Sequence, residues 1–117
     1  MKNVVLLGST GSIGTSTVKV AEDLPDKIRL LALAAGNNSE LLFEQTRKHQ
    51  PAAISIFDSG KAKGLQNTLG LSTQVYSGNE GLIKLATLPE ADIVLIAIVA
   101  TAGLHPALAA IRAGKDI

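Results

Sequence analysis

Residues 4–14 read Val4-Val5-Leu6-Leu7-Gly8-Ser9-Thr10-Gly11-Ser12-Ile13-Gly14. Four consecutive apolar residues run into a turn with glycine at every third position. An amphipathic stretch follows from Ser12 to Leu24, and Pro25 then stops it. A buried strand that breaks on glycine and re-emerges as a helix is the setting a dinucleotide fingerprint requires. Gly8 lets the chain turn sharply out of the strand. Gly11 removes a Cβ where a pyrophosphate must approach the backbone, and Gly14 lets the helix pack close to the sheet. The free N–H groups of Thr10 to Ile13 then point at phosphate, helped by the positive end of the helix dipole. Ser9, Thr10 and Ser12 add hydroxyl donors. The spacing is G-x-x-G-x-x-G, one residue wider than the commoner G-x-G-x-x-G. By itself it specifies a nucleotide and no particular enzyme.

Outward from this turn the same alternation repeats. Apolar runs at Ile28 to Ala35, Ala52 to Phe57 and Ile93 to Val99, with a weaker one at Gln74 to Tyr76, read as strands buried on both faces. Helical stretches lie between them. Ser39 to His49 opens on a Ser cap and ends before Pro51, and Ser59 to Leu69 is weakened by Gly60 and Gly64. Asn79 to Thr87 and Pro106 to Ala113 complete the set, with Gly114 as a C-terminal glycine. The pattern predicts one α/β domain over residues 1–117, with a doubly wound, mostly parallel sheet of Rossmann-like, NAD(P)-binding type. Lys115-Asp116-Ile117 reads as the start of a sixth strand, too short to pair fully. The domain is therefore expected to be truncated there.

Composition agrees with a single compact core. Of 117 residues 46% are hydrophobic and only 3% aromatic, so the core is aliphatic. A net charge of +1 gives no reason to expect nucleic acid or an acidic membrane surface. No cysteine is present, which excludes a disulfide framework, a thiolate metal site and a Cys nucleophile within this stretch. Residues 1–7 are too short for a signal segment, and no apolar run approaches a membrane span. A cytoplasmic location is expected.

An NAD-specific site carries an acid about 20 residues beyond the glycine turn, where it holds the ribose 2′-hydroxyl. Here the second strand ends in Leu33-Ala34-Ala35-Gly36-Asn37-Asn38-Ser39, with no carboxylate before Glu40. A carboxylate would repel a 2′-phosphate, so its absence favours NADP. Asn37, Asn38 and Ser39 offer neutral donors, but the loop holds no Arg or Lys.

Gly8 to Gly14 with Ser16-Thr17, Leu31 to Asn38, and Ala97 to Leu104 with Pro106 to Lys115 together resemble the 1-deoxy-D-xylulose 5-phosphate reductoisomerase family. The likeness runs through the chain in order and spacing. It implies an NADPH-dependent enzyme that rearranges 1-deoxy-D-xylulose 5-phosphate and reduces the branched aldehyde to 2-C-methyl-D-erythritol 4-phosphate, in non-mevalonate isoprenoid biosynthesis. It also implies a homodimer and a divalent metal (Mg, Mn or Co). Carried over by position, Thr10, Gly11, Ser12 and Ile13 hold the pyrophosphate side, with Gly8 and Ser9 framing the turn. Gly36, Asn37 and Asn38 take the adenosine end, and Ala100 lies against the cofactor. Two departures stand out. Many members have Lys, Arg or Ser where Asn37 stands, and many read Gly-Ala in place of Ala100-Thr101. The family's metal carboxylates and substrate-phosphate site lie beyond these residues, so no catalytic or metal-binding residue is assigned. The chain alone is expected to bind NADPH weakly at most and to catalyse nothing.

Other candidates have plainer readings. His49 sits at a helix end, and His105 stands beside Pro106 at an expected helix start. The two are too far apart for a metal motif. Asp58 reads as a turn or cap residue, while Glu90 and Asp92 sit at the sheet end away from the ligand crevice. Arg47, Lys48, Lys61 and Lys63 read as solvated helix charges. The rival functions are another NADP-dependent oxidoreductase with the same turn, and a non-catalytic NADP-sensing module.

Overall fold

The computed structural model describes every residue except 71 and 99, and at residues 100–104 the backbone alone. Ten elements alternate along it. They are β1 (Lys2–Leu7), α1 (Ser12–Asp23), β2 (Ile28–Ala35), α2 (Ser39–His49), β3 (Ala53–Ile56), α3 (Ser59–Leu69), β4 (Gln74–Ser77), α4 (Gly78–Ala86), β5 (Ile93–Ile96) and α5 (Ala100–Arg112). The five strands form one sheet in the order β4-β3-β2-β1-β5, and every pairing is parallel. The chain winds outward from β1 to β4, then crosses back to place β5 on the other side of β1. That reversal lies between β1 and β5, and in such sheets it opens a crevice at the strands' carboxyl ends.

Each sheet face carries its own apolar layer. Val4, Leu6, Leu33 and Ile54 pack against Val18 and Ala21 of α1, Leu42 of α2 and Leu65 of α3. Val5, Leu7, Ala34 and Val94 pack against Leu82 and Leu85 of α4 and Ala110 of α5. Strands covered on both faces need apolar residues at every position, which is why the sequence runs show no alternation. One irregularity sets the register. Opposite Val4 and Val5 the partner strand advances from Leu30 to Ala32, skipping Leu31. This bulge turns Leu31 and Ala32 to the same face, keeping Leu30 and Leu33 on the other.

Several boundaries differ from the sequence expectation. The cap of α2 is Asn38, not Ser39, because the Asn38 side chain accepts the Leu41 N–H at 3.1 Å. Despite Gly60 and Gly64, α3 forms in full, and Asp58 caps it by accepting the Lys61 N–H at 2.9 Å. Helix α5 begins at Ala100, six residues before the proline that was expected to start it. Pro106 lies inside the helix and is fully buried there, and tertiary packing offsets its missing donor. Gly114 ends α5 with φ +77°, its N–H reaching the Ile111 carbonyl while that of Lys115 reaches Ala110, a Schellman closure. Beyond it Asp116 bridges Ile93 in parallel, and the Val94 N–H donates to the Asp116 carbonyl at 2.7 Å. The pairing expected of the last residues is thus begun outside β5. Among the described residues no helix is long and apolar enough to cross a membrane.

Candidate functional site: the crevice at the strand ends

The glycine turn is pinned from four directions. Gly8 takes φ +101°, a conformation L side chains rarely adopt, and a Cβ there would stand 2.4 Å from the Ala97 carbonyl oxygen. The N–H groups of Gly8 and Ser9 both donate to the Ala34 carbonyl, at 2.8 and 2.9 Å. From α2, Gln45 Nε2 donates to the Ser9 carbonyl at 2.9 Å. Gly14 presses on the turn from α1, since a Cβ on it would lie 1.8 Å from the Gly8 oxygen. Gly11 is the opposite case: it is exposed, and a Cβ there would meet nothing within 4 Å.

Gly11 is also the N-cap of α1 and has no side chain to close the helix end. Thr15 is the first residue whose N–H makes a helical bond, to the Gly11 carbonyl at 2.8 Å. The amides of Gly11, Ser12, Ile13 and Gly14 are therefore left without intrahelical acceptors. No acidic residue occupies the first turn of α1. The helix end keeps its partial positive charge.

In front of this turn lies a cavity of about 540 Å³, within the size range of small-molecule and cofactor sites. The ends of all five strands contribute to it. Gly8, Thr10 and Gly11 come from beyond β1, and Ala34 to Asn37 from the end of β2. Ser55, Phe57 and Gly78 follow from β3 and β4, Ala97 and Ile98 from β5, and Leu82 from α4. None of these side chains is titratable. The cavity can bind and orient, but its described lining holds no group able to move a proton.

Of the residues singled out in the sequence, Gly8, Thr10, Gly11, Gly36 and Asn37 line this cavity together. Ser9 is fully buried behind the turn. Ser12 and Ile13 begin α1, and their side chains border a separate shallow groove on its outer face. Asn38 caps α2. Ala100 opens α5, but its side chain lies outside the described residues. Two neighbours escaped the sequence reading. Phe57, 56% exposed, sits at the rim as an uncovered aromatic face. Lys61, from α3, donates its Nζ to the Asn37 carbonyl at 2.8 Å. A lone aromatic at a strand end and an isolated lysine 24 positions from its acceptor give no local signal.

Several charged groups lie away from the cavity. At the far ends of α1 and α2, Glu22 pairs with Lys48 at 3.1 Å and His49 at 3.4 Å. The Lys48 hydrogen bond, with a smaller contribution from His49, holds the Glu22 carboxyl below its ordinary value. Asp92 accepts the Asn3 N–H at 2.8 Å at the amino ends of β1 and β5, opposite the crevice as expected. His105 is exposed on α5. Among the described residues no three His, Cys, Asp or Glu side chains converge to hold a metal.

Comparison with known proteins shows the family. The sequence profile of 1-deoxy-D-xylulose 5-phosphate reductoisomerase matches residues 4–117. The chain belongs to this family. A reductoisomerase of Citrifermentans bemidjiense is 48% identical over all of the chain, and one of Haemophilus ducreyi 46% identical. The chain spans 31% and 30% of their lengths. Among solved structures, the reductoisomerase of Zymomonas mobilis in complex with NADPH superposes with a TM-score of 0.89 at 34% identity. That match covers 97% of this chain and 30% of the other. A reductoisomerase in complex with NADPH, fosmidomycin and magnesium superposes at 0.91 with 35% identity, over 98% of this chain and 29% of the other. The segment of the family represented here folds as a five-stranded, all-parallel α/β domain.

Proposed function

We propose that this chain is the NADPH-binding part of a longer 1-deoxy-D-xylulose 5-phosphate reductoisomerase, an enzyme of non-mevalonate isoprenoid biosynthesis. The observation that carries the reading is the cavity at the sheet's reversal point. It is bounded by a helix end with unsatisfied amides and by a glycine over which nothing lies within 4 Å. A diphosphate fits that place by charge and by room.

When bound, the cofactor would provide the hydride for reduction of the rearranged substrate's aldehyde. The residues of this chain hold it. The amides of Gly11, Ser12 and Ile13 donate to the diphosphate, with the Thr10 hydroxyl beside them. Gly8 and Ser9 keep the turn in place through the Ala34 carbonyl. Gly36, Asn37 and Asn38 receive the adenosine end, and Ala100 borders the cofactor at the start of α5. The apolar lining from Ala35, Leu82 and Ile98 excludes water along the cofactor's flank. The described lining of the cavity holds no titratable side chain, and among the described residues no three His, Cys, Asp or Glu side chains converge. In this reading the divalent metal, the sugar-phosphate site and catalysis belong to a part of the longer protein beyond this chain. A cytoplasmic homodimer is proposed for the whole enzyme.

The full-length protein tests this. Mixed with 1-deoxy-D-xylulose 5-phosphate and a divalent metal, it should consume NADPH and release 2-C-methyl-D-erythritol 4-phosphate, and the 117-residue chain should not. An inert full-length protein would refute the activity. Turnover by the chain alone would refute the division of labour.

A further inference from the structure

The turn that ends β2 is expected to hold a ribose carrying a 2′-phosphate, yet it contains no positive charge. Gly36, Asn37, Asn38 and Ser39 are all neutral. A phosphate dianion bound there by neutral donors alone would discriminate weakly against a bare hydroxyl. The charge comes from another element. Lys61 is the third residue of α3, and its backbone N–H is held by the capping Asp58 at 2.9 Å. From that fixed base its side chain spans to the β2–α2 turn, where Nζ donates to the Asn37 carbonyl at 2.8 Å. Asn37 itself lines the crevice.

We propose that Lys61 is the residue that selects NADPH over NADH, its ammonium supplying the charge that the Gly36–Ser39 turn lacks. This rests on the nucleotide-binding reading above. Three features support it. An ammonium has three donors, and the Asn37 carbonyl takes one, which holds the group at the turn while two remain for phosphate oxygens. Among the described residues every ion pair falls on Glu22, so no carboxylate neutralises Lys61 at pairing distance. Two acids share its surroundings and are otherwise placed: Asp58 is engaged in capping α3, and Glu40 stands in the first turn of α2, bordering with Lys61 the groove between those helices. Lys61 is exposed, so its replacement leaves the core intact.

The test is a set of dissociation constants for NADPH and NADH, measured by fluorescence titration on the full-length enzyme and its Lys61→Met, Lys61→Arg and Lys63→Met variants. Lys61→Met should weaken NADPH about tenfold or more, a change of about 1.4 kcal/mol, and leave NADH unaltered. Lys61→Arg should keep most of the preference. Lys63→Met removes an equal charge two residues away and should change neither constant. If the wild type binds both nucleotides and Lys61→Met leaves their ratio unchanged, the assignment to Lys61 fails while the nucleotide site stands. An equal loss for both nucleotides, or the same loss in Lys63→Met, would also overturn it, as loosening of the turn or a general field effect. A wild type that binds neither nucleotide overturns the underlying reading and this one with it.

Discussion

Gly11 and Gly14 stand three residues apart, and a single methyl group should separate their roles. On Gly14 the new carbon would fall 1.8 Å from the Gly8 carbonyl oxygen, against backbone that cannot swing aside. Gly14→Ala should cost about 3 kcal/mol or more, at the upper end of what overpacking does, because α1 must lift from the turn. On Gly11 the same carbon meets nothing within 4 Å, and the native φ of −79° suits alanine. Gly11→Ala should cost no more than about 1 kcal/mol, the difference between glycine and alanine as a cap. It should nevertheless weaken NADPH at least tenfold, since the methyl occupies the approach to the amides. Thermal melts paired with nucleotide titration decide both. A stable Gly11→Ala variant with unchanged affinity would remove the diphosphate from this turn. Spacing along one strand–turn–helix marks both glycines in the sequence, and the close packing expected at Gly14 is seen in the structure. Ser9 was legible only in part. Its hydroxyl reads as a donor to phosphate, but the residue is fully buried and its carbonyl is held by Gln45, 36 positions away.

At the scale of elements, α1 and α2 are joined at their C-terminal ends by Glu22 with Lys48 and His49. The pair makes a pH prediction whose sign is fixed. The folded carboxyl titrates below its ordinary value of 4.5, chiefly through the Lys48 hydrogen bond, so the folded state favours the ionised form. The stabilisation is fully present above that value and is lost as pH falls through the lower, folded one. Urea unfolding of the wild type and Glu22→Gln, followed downward from neutral pH, should show a small difference that vanishes in acid and shrinks with salt. A difference that grew on acidification would reverse the assignment. Element boundaries were legible where a local signal marks them. Pro25 and Pro51 lie just past α1 and α2, and Asp58 caps α3. The start of α5 was not, because a proline reads as a first-turn residue, and only packing around a buried Pro106 lets the helix begin six residues earlier.

The topology of the whole molecule followed from counting buried strands and intervening helices, and the crevice from the rule that such sheets bind ligands where their winding reverses. What counting cannot supply is which distant side chains the winding brings to that crevice. Phe57 reaches its rim from the end of β3, and Lys61 reaches the β2–α2 turn beside it from α3, so their places depend on how those elements stack next to β2. The same geometry limits what this chain does alone. Strand ends and the turns beyond them form one wall of the cavity, and Phe57 at its rim is 56% exposed. A cofactor lying there keeps much of its other flank in water unless further polypeptide covers it. Ligand stabilisation measures the difference, because a ligand that binds only the folded state adds about 2.7 kcal/mol at one hundred times its dissociation constant and about 0.4 kcal/mol at one times it. At a fixed NADPH concentration near one hundredfold above the full-length constant, the full-length protein should melt several degrees higher. The 117-residue chain should then shift by about 3 °C or less. Differential scanning fluorimetry with NADPH and NADH reads both. Matching stabilisation in the two proteins would mean that these strand ends alone make up the complete nucleotide surface, and that further polypeptide adds nothing to affinity.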